Sequence, residues 1–128
     1  MFCVFDIRRQ RLNQIIVFSG CGNGKYLNVR EDIVINGSDI CQELVQLAYG
    51  RHRDVIRANN LRLPYRSESM DAVISVGVLH HFVSPNRRLQ SIWELVRLLR
   101  PGGKLLIYVW AWEQKQRKVR EKKRAIKL

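Results

Sequence analysis

The chain has 128 residues, 46% of them hydrophobic, which is enough for one compact core and too little for two. Lys and Arg number 23 against 11 Asp and Glu, a formal charge of +12, and such an excess spread over a folded surface favours a polyanionic partner, nucleic acid ahead of an anionic membrane. Cys3, Cys21 and Cys41 are odd in number and hold no Cys-x-x-Cys pair, no apolar run approaches the ~18 residues of a membrane span, and no secretory signal precedes the core, so a disulfide framework, the usual zinc spacing and export are all disfavoured.

In chain order, residues 1–14 form a separate N-terminal segment. From Ile15, short apolar runs alternate with helix-like patterns, the signature of β-α-β units around a mostly parallel sheet. The first predicted strand is Ile15-Ile-Val-Phe-Ser19, followed by a glycine-rich turn that opens a helical stretch. A second strand is predicted at Ile33-Val-Ile-Asn36 and a helix over Ile40–Ala48, capped by Ser38 or Asp39 and closed by Gly50. Val55-Ile-Arg57 and Ala72-Val-Ile-Ser-Val76 are the third and fourth strands. The next helix begins at Ser84 and Pro85, presents Leu89, Ile92, Trp93, Val96 and Leu99 as its apolar stripe, and stops at Pro101-Gly102-Gly103. Arg87, Arg88, Arg97 and Arg100 fall largely off that stripe and read as a solvated basic face. Leu105-Leu-Ile-Tyr-Val-Trp110 is the fifth strand. The strands are apolar on both faces, which requires helices on both sides and predicts a three-layer α/β/α core over residues 15–112. Residues 113–128 hold the charge run Lys115-Gln-Arg-Lys-Val-Arg-Glu-Lys-Lys-Arg124, read as a solvated tail in preference to a specific binding site.

Gly20-Cys-Gly-Asn-Gly24 sits where an open parallel sheet binds ligands, beyond the carboxyl ends of its strands. Its spacing is G-x-G-x-G, with Lys25 where a dinucleotide fingerprint has its third glycine, which weakens a nicotinamide or flavin reading. The alternative is a glycine turn without a ligand. Asp39 follows Gly20 by about 20 residues, where a carboxylate can accept from both hydroxyls of a ribose; it can equally serve as a helix cap.

Taken together, Gly20-Cys-Gly-Asn-Gly-Lys-Tyr-Leu27, Gly37-Ser-Asp39, Leu63-Pro-Tyr-Arg-Ser-Glu-Ser-Met-Asp-Ala-Val-Ile-Ser75, Val78-Leu-His-His-Phe82 and Arg97-Leu-Leu-Arg-Pro-Gly-Gly-Lys104 resemble the consecutive motifs of Rossmann-like class I methyltransferases. The finer text, Leu79-His-His-Phe82 and Tyr108-Val-Trp-Ala-Trp-Glu-Gln114 among it, resembles the tRNA carboxymethyluridine methyltransferases, including the domain fused to an AlkB-like oxygenase. The resemblance covers Ile15 to about Arg117. It implies S-adenosylmethionine as cofactor, held by Gly20, Gly22, Gly24 and Asp39, with Asn59 near the adenine, where its amide can accept from the exocyclic amine. Val76 to Leu79 would pass beneath the methyl-bearing sulfonium. His80 and His81 would help to place the substrate, or else pack locally at a helix start. The implied reaction is methylation of the carboxylate of a 5-carboxymethyl wobble uridine. That group is already ionised at neutral pH with a pKa of roughly 4, so no catalytic acid or base and no metal are expected. Implied partners are tRNA and a small zinc-containing activator subunit, with no membrane, and the implied location is the cytoplasm, with the nucleus second.

The sequence departs from the family pattern in places. Phe18 stands where an acidic residue is usual, and Asn59 where an Asp is usual. Met1 to Gln14 does not resemble the helices that normally precede the first strand, and the sequence stops soon after the fifth strand, so a core incomplete at both ends is expected. Weak cofactor binding follows. A truncated or inactive interaction module for RNA or protein is therefore the alternative to an active enzyme, and a methyltransferase for a small organic acid is a third reading.

Overall fold

The computed structural model describes residues 14–51 and 54–109. The expected tail over 113–128 and nearly all of the N-terminal segment lie outside the described residues. Five parallel strands form one sheet: β1 (Ile15–Ser19), β2 (Val34–Asp39), β3 (Val55–Arg57), β4 (Met70–Val76) and β5 (Leu99–Tyr108), in the order β3-β2-β1-β4-β5. The chain therefore winds outward in one direction from β1 and in the other from β4, and the switch point lies between them. One helix covers each face. The first, α1 (Gln42–Tyr49), packs Val45 and Ala48 with Ile16, Phe18, Ile35 and Ile74, while α2 (Pro85–Leu98) packs Leu95 and Leu98 with Val17, Val73, Leu63 and Met70. This is the expected three-layer arrangement. Alternate residues of β1 serve opposite faces, which explains why Ile16 to Phe18 are all apolar and all buried.

Four expectations are corrected. No helix follows the glycine turn: residues 20–33 are turns and bends, because Gly20, Gly22 and Gly24 all adopt positive φ, a left-handed backbone that interrupts right-handed winding. Strand β2 starts one residue later than expected and runs on through Gly37-Ser38-Asp39, so α1 begins at Gln42, and the side chains of Ser38 and Asp39 do not occupy its cap position. Pro101-Gly102-Gly103 does not separate helix from strand. Met70 pairs with Leu99 and Ala72 with Lys104, so the Pro-Gly-Gly segment is a bulge inside β5, allowed by Gly102 at φ +80°.

The fourth correction is the burial of α2. Ser91, Leu95 and Leu98 face the sheet, whereas Leu89, Trp93 and Val96 are exposed, Trp93 by 64%. The helix is apolar around more than half its circumference, and Ser91 can be buried because its hydroxyl accepts from Asn60 Nδ2 at 2.6 Å. The basic residues keep the expected solvent exposure, Arg87, Arg88 and Arg100 being exposed and Arg97 half-buried, and three of them also bind the fold. Arg97 donates to the carbonyls of Leu63 and Tyr65, to Ser67 Oγ and to Glu94; Arg88 donates to the carbonyls of Phe82 and Val83; Arg100 pairs with buried Asp71. Arg88 and Arg97 fasten loops to the helix, and Arg100 ties β5 to β4.

Candidate nucleotide-cofactor site

The turn after β1 is tied to the tip of β2 through the backbone. The N–H groups of Gly20 and Cys21 both donate to the carbonyl of Ser38, at 2.8 and 3.0 Å. A Cβ on Gly20 would lie 2.3 Å from Val78 Cγ2 and 3.0 Å from the Val76 carbonyl, and its φ is +75°, so glycine is required there twice over. Gly22 donates its N–H to Asp39 Oδ2 at 2.9 Å, while Asp39 Oδ1 accepts from the Cys41 N–H at 3.0 Å. Each carboxylate oxygen is thus oriented by one backbone donor and keeps lone pairs for a further partner. Asp39 is braced between the glycine turn and the residue before α1.

Above this junction lies a cavity of about 660 Å³, lined by Gly20, Asp39, Asn59, Val76 and His81 of the expected residues. That volume falls within the roughly 300–1,000 Å³ of small-molecule sites. The remaining lining is largely apolar, with Ile40, Leu44, Leu61 and Phe82, and Arg87 contributes a cation. Gly22 enters the site through its hydrogen bond to Asp39. Gly24 is elsewhere: a Cβ there would meet Ala48 at 2.9 Å, so this glycine lets the turn press on α1. His80 and His81 form a 3-10 turn with Leu79, their rings 4.3 Å apart, and His81 is the one on the cavity wall.

Two groups escaped the sequence reading. Asn60 is buried, accepts from the Ser19 hydroxyl and donates to Ser91, joining the end of β1 to α2 at the cavity wall. Arg87 reaches the wall because it lies one turn before Ser91 on the same side of α2. The signal for Arg87 was the Ser91-x-x-x-Leu95 stripe, which ranks low by hydropathy, and Asn60 had none. Burial, and secondarily the charge of Asp39, pushes the Cys21 thiol up to about 11, and it stays protonated and inert at neutral pH. Burial likewise pushes the Tyr65 hydroxyl up to about 12. Among the described residues no cluster of three or more His, Cys, Asp or Glu could hold a metal ion.

A doubly wound sheet with a glycine turn and an oriented carboxylate at its switch point defines a nucleotide-type binding domain. The chain matches the methyltransferase domain family over residues 18–107 and belongs to it. It is 46% identical over 111 residues to a probable tRNA methyltransferase 9B of Bos taurus, covering 87% of this chain and 24% of that protein. It is 47% identical over 108 residues to the tRNA (carboxymethyluridine(34)-5-O)-methyltransferase ALKBH8 of Macaca fascicularis, covering 84% of this chain and 16% of that one. The chain thus spans a quarter or less of these relatives. Among solved structures, the complex of the Haloferax volcanii Trm112 methyltransferase activator with a putative methyltransferase matches with a TM-score of 0.65 at 24% identity, over 78% of this chain and 47% of that one. It shares the fold.

Proposed function

We propose that this domain binds S-adenosylmethionine and serves the transfer of its methyl group to the carboxylate of a 5-carboxymethyl uridine at the wobble position of tRNA. The observation that carries the reading is the Gly22 N–H to Asp39 bond, which holds the glycine turn and the carboxylate on one cavity. The residues present fit the cofactor. Gly20 leaves room for close approach, Asp39 retains acceptor capacity for ribose hydroxyls, and Ile40, Leu44 and Leu61 offer an apolar enclosure for a base. When bound, the cofactor supplies an electrophilic methyl group on a sulfonium. The chain's own work is to orient the partners and to exclude water from both charges. Val76 and the adjoining Gly77 form the floor at the end of β4, His81 with His80 beside it would place the uridine, and the Arg87 guanidinium suits an anionic carboxylate. No side chain is assigned as acid or base.

The relatives' names support tRNA as substrate, and the Haloferax complex supports a small activator subunit as partner; the zinc that the resemblance implies would belong to that subunit. A wobble-modifying role would fit the cytoplasm, with the nucleus second. The deciding experiment incubates the chain, with and without a co-expressed activator, with S-adenosylmethionine and carboxymethyluridine-bearing tRNA, then analyses nucleosides by mass spectrometry. The methyl ester of carboxymethyluridine is the expected product, and its absence in both preparations overturns the assignment. A second reading, an RNA- or protein-binding module without turnover, is favoured by Phe18, which is 5% exposed and packed in the core where the family pattern has an acidic side chain. Such a module would bind tRNA in the same experiment and leave the nucleoside unchanged.

A further inference from the structure

The turn after β3 fixes the orientation of one amide on the wall of the cavity. Asn59 Oδ1 accepts from the Leu61 N–H at 3.0 Å, and the Asn59 carbonyl accepts from the Arg62 N–H at 3.0 Å, closing a tight turn. Exchanging the ends of the Asn59 amide would set its NH2 against the Leu61 N–H, donor against donor, so the geometry settles which end is held. The carbonyl, expected from the sequence to accept from an exocyclic amine, already accepts from Leu61 and keeps one lone pair, and the same amide carries an NH2 donor at the cavity that Asn59 lines. The neighbouring Asn60 is held at both ends of its amide, Oδ1 by Ser19 and Nδ2 by Ser91. Arg87, one turn before Ser91, also lines the cavity. Asp39 is already oriented by Gly22 and Cys41.

We propose that Asn59 is a specificity residue that offers this cavity an amide donor beside its carbonyl, so that the site takes a base edge presenting either an acceptor or a donor and fails to select the 6-amino group of adenine over the 6-oxygen of hypoxanthine. The inference rests on the reading that the cavity holds an adenosyl-type cofactor. Adenine remains acceptable through its ring nitrogens, which can take the Asn59 N–H, but hypoxanthine is not rejected. An aspartate at this position would keep the bond to Leu61 and turn an acceptor outward, restoring selection for the amine and repelling the oxygen.

The test measures binding of S-adenosylhomocysteine and of its deaminated analogue S-inosylhomocysteine to the full chain by titration calorimetry. It is repeated for Asn59→Asp and Asn59→Ala, with circular dichroism confirming that each variant is folded. The expected result is that the parent binds the two compounds within about threefold of each other, whereas Asn59→Asp prefers the adenosyl compound by about tenfold or more. Asn59→Ala should lie between them. A parent that prefers the adenosyl compound tenfold, with Asn59→Asp unchanged, overturns this proposal and leaves the cofactor reading standing. Failure of all three proteins to bind either compound overturns both.

Discussion

At Asp39, two backbone N–H groups hold a carboxylate in place before any ligand arrives, one from the glycine turn and one from the residue preceding α1. Hydrogen bonds to an ionised group contribute about 1.5–3 kcal/mol. Asp39→Asn places an amide NH2 against one of those donors and removes the charge, so S-adenosylmethionine binding should weaken by about tenfold or more in calorimetry. An affinity within about twofold of the parent's would show that this carboxylate is not the anchor. The position of Asp39 at a strand tip beside the glycine turn was legible in the sequence, which left open whether it caps a helix or faces a ligand. The direction of the Asn59 amide was not, since it depends on a backbone N–H two residues away that only the folded turn brings into range. Glycine spacing alone likewise could not separate Gly20, shaped by the cavity, from Gly24, shaped by contact with Ala48.

At the scale of elements, β1 and β3 coincide with their apolar runs, and β4 extends two residues ahead of its own. Buried parallel strands read clearly because both faces must be apolar. Helix α2 was legible in its start but not in its end or its rotation. Its most hydrophobic stripe faces outward, and a serine on the inward stripe is satisfied by an asparagine 31 residues earlier, a partnership without a local signal. Leu95→Ala should therefore cost about 2–5 kcal/mol in chemical denaturation, whereas Trp93→Ala should change stability by about 0.5 kcal/mol or less. Equal costs would restore the stripe expected from hydropathy. Glu94 gives the helix a pH dependence. The Arg97 guanidinium, assisted by the Leu63 N–H, holds its carboxyl below the usual carboxylate range. A lowered folded value stabilises above the unfolded pKa of about 4.3 and loses that contribution as pH falls through the folded value. Glu94→Gln should thus cost about 1 kcal/mol at pH 7, discounted for partial exposure, and the gap to the parent should close as the pH drops below about 4. A gap that persists there would place the effect in packing.

Across the whole molecule, the charge of +12 is the feature that bears on a nucleic-acid partner. Arg88, Arg97 and Arg100 have structural tasks, so RNA contact would fall to other basic groups, among them the exposed Arg62 and Lys104. Binding of tRNA, followed by fluorescence anisotropy, should weaken with salt along a log-log slope steeper than about −2, as expected when three or more phosphates are neutralised. A flat dependence would remove RNA as a partner. The chain of side chains from Ser19 through Asn60 to Ser91 carries a consequence for motion. It couples the glycine turn to the opposite face of the sheet, so a compound that quiets the turn should also slow amide deuterium uptake in the first half of α2. A rigid core would transmit nothing of the kind if that asparagine were replaced by leucine, and the helix would then fluctuate independently of whatever fills the hollow above it.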